Sequence, residues 1–85
     1  MSLSKRDKVI ELVSEEQVLF ADGFDDAIIG VEFMTMPRVV YDQNKIIDIL
    51  MDEHEMNDVE AQEFFDYNIA GSYVGEQTPI YVIRA

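Results

Sequence analysis

The chain contains no cysteine and no tryptophan, has a single histidine, and carries six Lys and Arg against eighteen Asp and Glu. Without cysteine there is neither a disulfide framework nor a zinc site built on thiolates. The lone imidazole, His54, sits between Glu53 and Glu55 near a helix end, and no thiol accompanies it. A nucleophile activated by a neighbouring base therefore has almost nothing to draw on, so no catalytic residue is assigned and an enzyme is not expected. No apolar run reaches membrane-spanning length, and the amino terminus lacks a basic-then-apolar signal. The expectation is a cytoplasmic chain with no membrane association and no cofactor.

The scarce bases are also unevenly placed. Lys5, Arg6 and Lys8 lie in the first eight residues, and no Lys or Arg occurs between Ile46 and Ile83. Phosphate backbones and anionic lipids are held by Lys and Arg, so a formal net charge of −12 disfavours direct nucleic-acid binding and adhesion to membranes. The complementary partner is a basic protein surface. In the extreme form of that reading, carboxylates stand in for phosphates and occupy a nucleic-acid-binding site on another protein. The plainer reading is that the charge keeps a small domain soluble and monomeric.

What is present is enough for one core. A length of 85 residues, 48% of them hydrophobic, supports a single acidic domain over 1–85. Ser4, with Asp7 three residues on, opens a helical pattern that runs to Glu16 with Val9, Ile10, Leu12 and Val13 as its apolar stripe. Its basic start and acidic end oppose the helix dipole, which favours fraying. "QVLFA" reads as a short strand and "DGFDD" as a turn. "AIIGVEF" reads as a central strand with a bulge at Gly30, and "RVVY" as its antiparallel partner.

Asp42 is placed to cap a helix over "QNKIIDILMDE", whose buried stripe is Ile46, Ile47, Leu50 and Met51. Asn57 with Glu60 forms a capping box for a second helix, "DVEAQEFFDYNIA". That helix turns Ala61, Phe64, Phe65 and Asn68 toward one side and ends at Gly71. "SYVGEQ" is a loop, and "IYVIR" after Pro79 is a last strand whose apolar character leans toward the sheet centre. Strands in a run followed by helices in a run indicate an α+β fold, with about four mostly antiparallel strands and two or three helices packed on one face.

Three segments together carry a resemblance: "LFADGFDDAIIGV", "VVYDQNKIIDILM" and "AQEFFDYNIAGSYVGEQTPIYV". With their DGFDDAIIG, YDxxK and NxxGxYVGExTP motifs, they resemble a family of small uncharacterised proteins found in bacteriophage and some bacterial genomes. The likeness spans roughly Leu19 to Tyr81 and implies a phage-related origin, which places the chain in the cytoplasm of a bacterial host. It supplies no activity. That family usually has Asp-Gly-Met between the two helices, where this chain has His54, Glu55 and Met56, so the geometry of this turn is expected to differ.

Two clusters qualify as sites. Asp22, Asp25 and Asp26 could offer oxygens to Ca²⁺ or Mg²⁺, although the spacing is not that of an EF-hand. The alternative is a turn whose aspartates bond local backbone. The glycine loop supplies Tyr73, Gly75, Glu76 and Thr78, to which Asn68 adds a carboxamide beside the apolar side of its helix. These residues either line a ligand groove or fix the loop by their own hydrogen bonds. A phosphate cradle is excluded by the absence of a following helix and lysine.

The function expected from these features is non-enzymatic binding to a basic macromolecular surface, directed at a host protein if the phage kinship holds. A metal- or small-ligand-binding module is the first alternative. A self-associating structural protein is the second, with Phe33, Met34 and Met36 as an apolar patch for a homodimer.

Overall fold

The computed structural model describes residues 4–13, 18–34, 37–72 and 74–85. Helix α1 (Lys5–Val13) is followed by a 3₁₀ turn (Asp25–Ala27), strands β1 (Ile28–Glu32) and β2 (Arg38–Asp42), and helices α2 (Gln43–Glu53) and α3 (Asp58–Phe64). Helix α3 continues into a π-helix (Phe65–Ala70), and β3 (Ile80–Val82) closes the order. The sequence suggested about four strands; among the described residues there are three, in the order β1-β2-β3.

The missing strand has a physical replacement. Val18–Ala21, the described part of "QVLFA", joins no ladder; instead the Ala21 N–H donates to the Tyr41 hydroxyl at 2.7 Å. A side chain thus takes the role of a neighbouring strand.

Strands β1 and β2 pair antiparallel, and the register slips between Ile28 and Gly30, which places the expected bulge. Strand β3 joins β2 in parallel, with Tyr41 opposite Tyr81, so the sheet is mixed. The central strand is β2. Both "AIIGVEF" and the final strand, expected near the centre, lie at edges. Strand β3 is half-buried throughout its three residues. Its apolar sequence comes from packing one face on the helices, where Tyr81 meets Phe65 edge-on at 5.3 Å between ring centroids.

One core joins sheet and helices. Val39 and Tyr41 of β2 are buried together with Ile46 and Leu50 of α2, Ala61 of α3, Phe65 and Ile69 of the π-helix, and Val9 and Val13 of α1. Ile10 and Leu12, expected in the stripe of α1, are exposed, because this short helix rests on a single line of residues four apart. Its Ser4 hydroxyl accepts from the Asp7 N–H at 3.1 Å. Glu15, Glu16 and Gln17 lie outside the described residues.

Both expected caps of the later helices are formed. The Asp42 carboxylate accepts from the N–H groups of Asn44 and Lys45 at 3.0 and 3.3 Å. Asn57 and Glu60 exchange bonds of 2.8 and 3.0 Å in a capping box. Of the stripe expected in α2, Ile46 and Leu50 are buried, Ile47 is half-buried and Met51 is exposed, and Ile49 takes the buried place instead. In the turn between the helices Glu55 has φ 56°, the left-handed region that costs any residue with a Cβ.

Beyond Phe65 the helix widens into π turns. The buried positions become Ala61, Phe65 and Ile69, each four apart. Asn68, expected beside the apolar side, is rotated out to solvent, and Phe64 is exposed at 37%. Gly71 ends the helix at φ −78°, so left-handed backbone is not what it supplies. A Cβ there would stand 2.8 Å from the Asp66 carbonyl oxygen.

Candidate functional site

The aspartate turn is occupied by the protein's own cation. Arg6 reaches from α1 and forks onto Asp25, with bonds of 3.0 to 3.2 Å, and its Nη2 also meets Asp22 at 3.1 Å. Its guanidinium lies 4.3 Å from the centroid of the Phe20 ring, a stacked geometry in which the ring face attracts the charge. Hydrogen bonds to Asp25, then Asp22, raise the Arg6 pKa further. Lys5 Nζ donates to the Asp26 backbone carbonyl at 2.6 Å, while the Asp26 side chain points to no described partner and the residue is exposed. Among the described residues no group of three His, Asp or Glu converges on a point where a metal ion could sit. The Asp22 and Asp25 carboxylates, with the Asp26 backbone carbonyl, latch α1 in this structure. Sequence reasoning missed Arg6, whose only signal is that it is one of six bases in an acid-rich chain, with no spacing rule to pair it across 19 residues.

Behind the latch lies Tyr41. Its side chain is wholly buried and burial pushes its hydroxyl pKa up to about 12, against a smaller lowering by the Ala21 N–H bond. Burial also raises Tyr81. Both groups hold neutral hydroxyls at neutral pH.

The glycine loop is fixed by its own bonds. Thr78 Oγ1 accepts from the Val74 N–H at 2.9 Å and donates to the Gly75 carbonyl at 2.6 Å, and the Thr78 N–H donates to the same carbonyl at 3.1 Å. Gly75 takes φ 118°, which a residue with a Cβ rarely adopts. Arg38 Nε donates to the Thr78 carbonyl at 2.8 Å, tying the loop to β2. Glu76 is exposed at the tip, and Tyr73 lies outside the described residues.

A groove of about 450 Å³ runs beside this loop. Phe20 and Phe24 form one side, Phe64 and Asn68 of the helix another, and Tyr81 enters from the sheet. Of the candidate ligand residues that the structure describes, Asn68 lines it, and Gly75, Glu76 and Thr78 do not. Its backbone carbonyl accepts from the Ser72 hydroxyl at 3.1 Å, and its side-chain amide has no hydrogen bond among the described residues. The aromatics were hidden in the sequence because they read as ordinary core residues.

The third feature is the acidic surface of α2, α3 and the π-helix. Asp48, Asp52, Glu53, Glu55, Asp58, Glu60, Glu63 and Asp66 are all exposed, and none is in an ion pair among the described residues. The ion pairs that do form hold Asp22 and Asp25 on Arg6, and Asp42 on Arg84 at 4.0 Å. Elsewhere Phe33 and Met34 are exposed, Met34 at 89%, and Met36 lies outside the described residues. No helix among the described residues is long and apolar enough to cross a membrane.

Comparison of the chain with protein-family models, curated proteins and solved structures finds no match.

Proposed function

We propose that this chain is a non-enzymatic interaction protein that docks a basic surface of another protein through α2, α3 and the π-helix. The observation that carries the reading is the contrast between two parts of the surface. Five of the six bases lie on α1, β2 and the carboxyl terminus and the sixth, Lys45, in the first turn of α2, while the eight exposed carboxylates from Asp48 to Asp66 have no Lys or Arg in their own segment. Solvent-exposed charges of one sign raise the local concentration of the opposite sign and speed encounter, an effect screened beyond about 8 Å at physiological salt. The resemblance to phage-encoded proteins directs the proposal toward a bacterial host protein.

Capture from bacterial lysate at low and moderate salt tests this, run beside an Asp48→Asn, Asp52→Asn, Glu63→Gln variant. A basic protein retained in stoichiometric amount by the native chain, released by salt and lost by the variant is the expected result. Beads that stay empty at both salts, or retention unchanged in the variant, would refute it.

A further inference from the structure

We infer that the groove between the Leu19–Phe24 segment and the π-helix is a binding site for a small organic cation with an apolar body, such as an arylalkylammonium. Its volume, about 450 Å³, falls within the range of small-molecule sites. Its composition is that of such a site as well: aromatic walls from Phe20, Phe24, Phe64 and Tyr81, with few polar groups among them. The Asn68 carboxamide has no hydrogen bond among the described residues and offers a ligand both a donor and an acceptor. The i→i+5 turns that rotate Asn68 onto this wall are a distortion found frequently at functional sites.

The sign of the ligand follows from charge. The carboxylate lining the groove belongs to Asp22, whose side chain is 92% exposed and engages Arg6 through Oδ1. The chain as a whole carries −12. Next to the groove, though not lining it, the Arg6 guanidinium already uses this chemistry, lying over Phe20 and bonded to Asp22. A ligand ammonium is left the second Asp22 oxygen, Oδ2, which has no bond among the described residues, and the ring faces of Phe24, Phe64 and Tyr81, while a carboxylate ligand would enter against the field of the whole chain. This site does not depend on macromolecular docking through α2 and α3.

The test uses a matched set of phenylbutylamine, phenylbutanol and phenylbutyrate, titrated into the full chain and followed by NMR shifts of the Asn68 side-chain amide and by calorimetry. The amine is expected to bind at least about tenfold more tightly than the carboxylate, a gap of about 1.4 kcal/mol, with the alcohol between them. Shifts should centre on Asn68 and Ser72. A Ser72→Trp variant, which fills the groove from its exposed rim, should abolish binding while keeping its native circular dichroism. Asn68→Ala should weaken the amine without unfolding the chain, because Asn68 is exposed. Equal binding of all three compounds, preference for the carboxylate, no binding at millimolar concentration, or amine binding that persists in Ser72→Trp would each overturn the assignment.

Discussion

Arg6 grips Asp25 with two nitrogens, Nε at 3.1 Å from Oδ2 and Nη2 at 3.0 Å from Oδ1. This fork joins α1 to the turn ahead of β1, and the two partners are 33% and 42% exposed. A pair so open to water is worth about 1 kcal/mol or less, and the stacking on Phe20 adds a similar amount. Arg6→Lys keeps the charge but loses both the fork and the stack. In urea titrations Arg6→Lys should therefore lose most of what Arg6→Ala loses, a total of about 1 to 2 kcal/mol. Full stability in Arg6→Lys would show that charge alone matters.

Tyr41 makes the protein sensitive to alkali. Its folded pKa, about 12, lies above the ordinary value of 10.0, so the folded state favours the neutral hydroxyl. That contribution is fully present below pH 10 and is lost as pH rises toward 12. Tyr81 shifts in the same direction and adds to the loss. Tyr41→Phe should lower stability near neutral pH by about 1 kcal/mol, because the Ala21 N–H loses its acceptor. The same variant should show a shallower decline between pH 10 and 12, measured by denaturation at each pH.

Glu55 occupies a backbone conformation better suited to glycine, at φ 56°. Glu55→Gly removes the steric cost and gives back part of it as unfolded-chain entropy. The expected net gain is up to about 1 kcal/mol, read as a raised midpoint in thermal unfolding. A lowered midpoint would mean that the glutamate side chain contributes more than its backbone costs.

Gly71 and Gly30 should respond oppositely to alanine. At Gly71 the added Cβ meets the Asp66 and Tyr67 carbonyl oxygens at 2.8 and 3.2 Å, both rigid backbone at the end of the π-helix. Gly71→Ala is expected to cost about 1 to 3 kcal/mol. At Gly30 nothing lies within 4 Å, and Gly30→Ala should change stability little or raise it slightly. Equal costs at the two positions in urea unfolding would contradict close packing at Gly71 and open space at Gly30.

The capping box is a local test of α3. Asn57→Ala removes the acceptor for the Glu60 N–H, so a loss of about 1 kcal/mol is expected in urea unfolding. An unchanged midpoint would show that packing of Ala61 and Phe65 alone fixes where α3 begins.

The sequence by itself determined what depends on neighbours a few positions apart. The Asp42 cap, the Asn57–Glu60 capping box and the extent of α2 are short-range hydrogen-bonding and periodicity events, and the pairing of β1 with β2 follows from a short connection. Tertiary structure decided what depends on distant groups. β3 pairs with β2 across two intervening helices, and the Arg6 fork spans 19 residues. Tyr41 substitutes its hydroxyl for a strand beside Ala21. Strand apolarity reports burial of a face and not a place in the sheet, which is why two edge strands read as central. The π turns that carry Asn68 onto the groove wall arise from packing Phe65 and Ile69 into one core. An α-helical period extrapolated from Ala61 points Asn68 inward; the wider turn set by that core points it out.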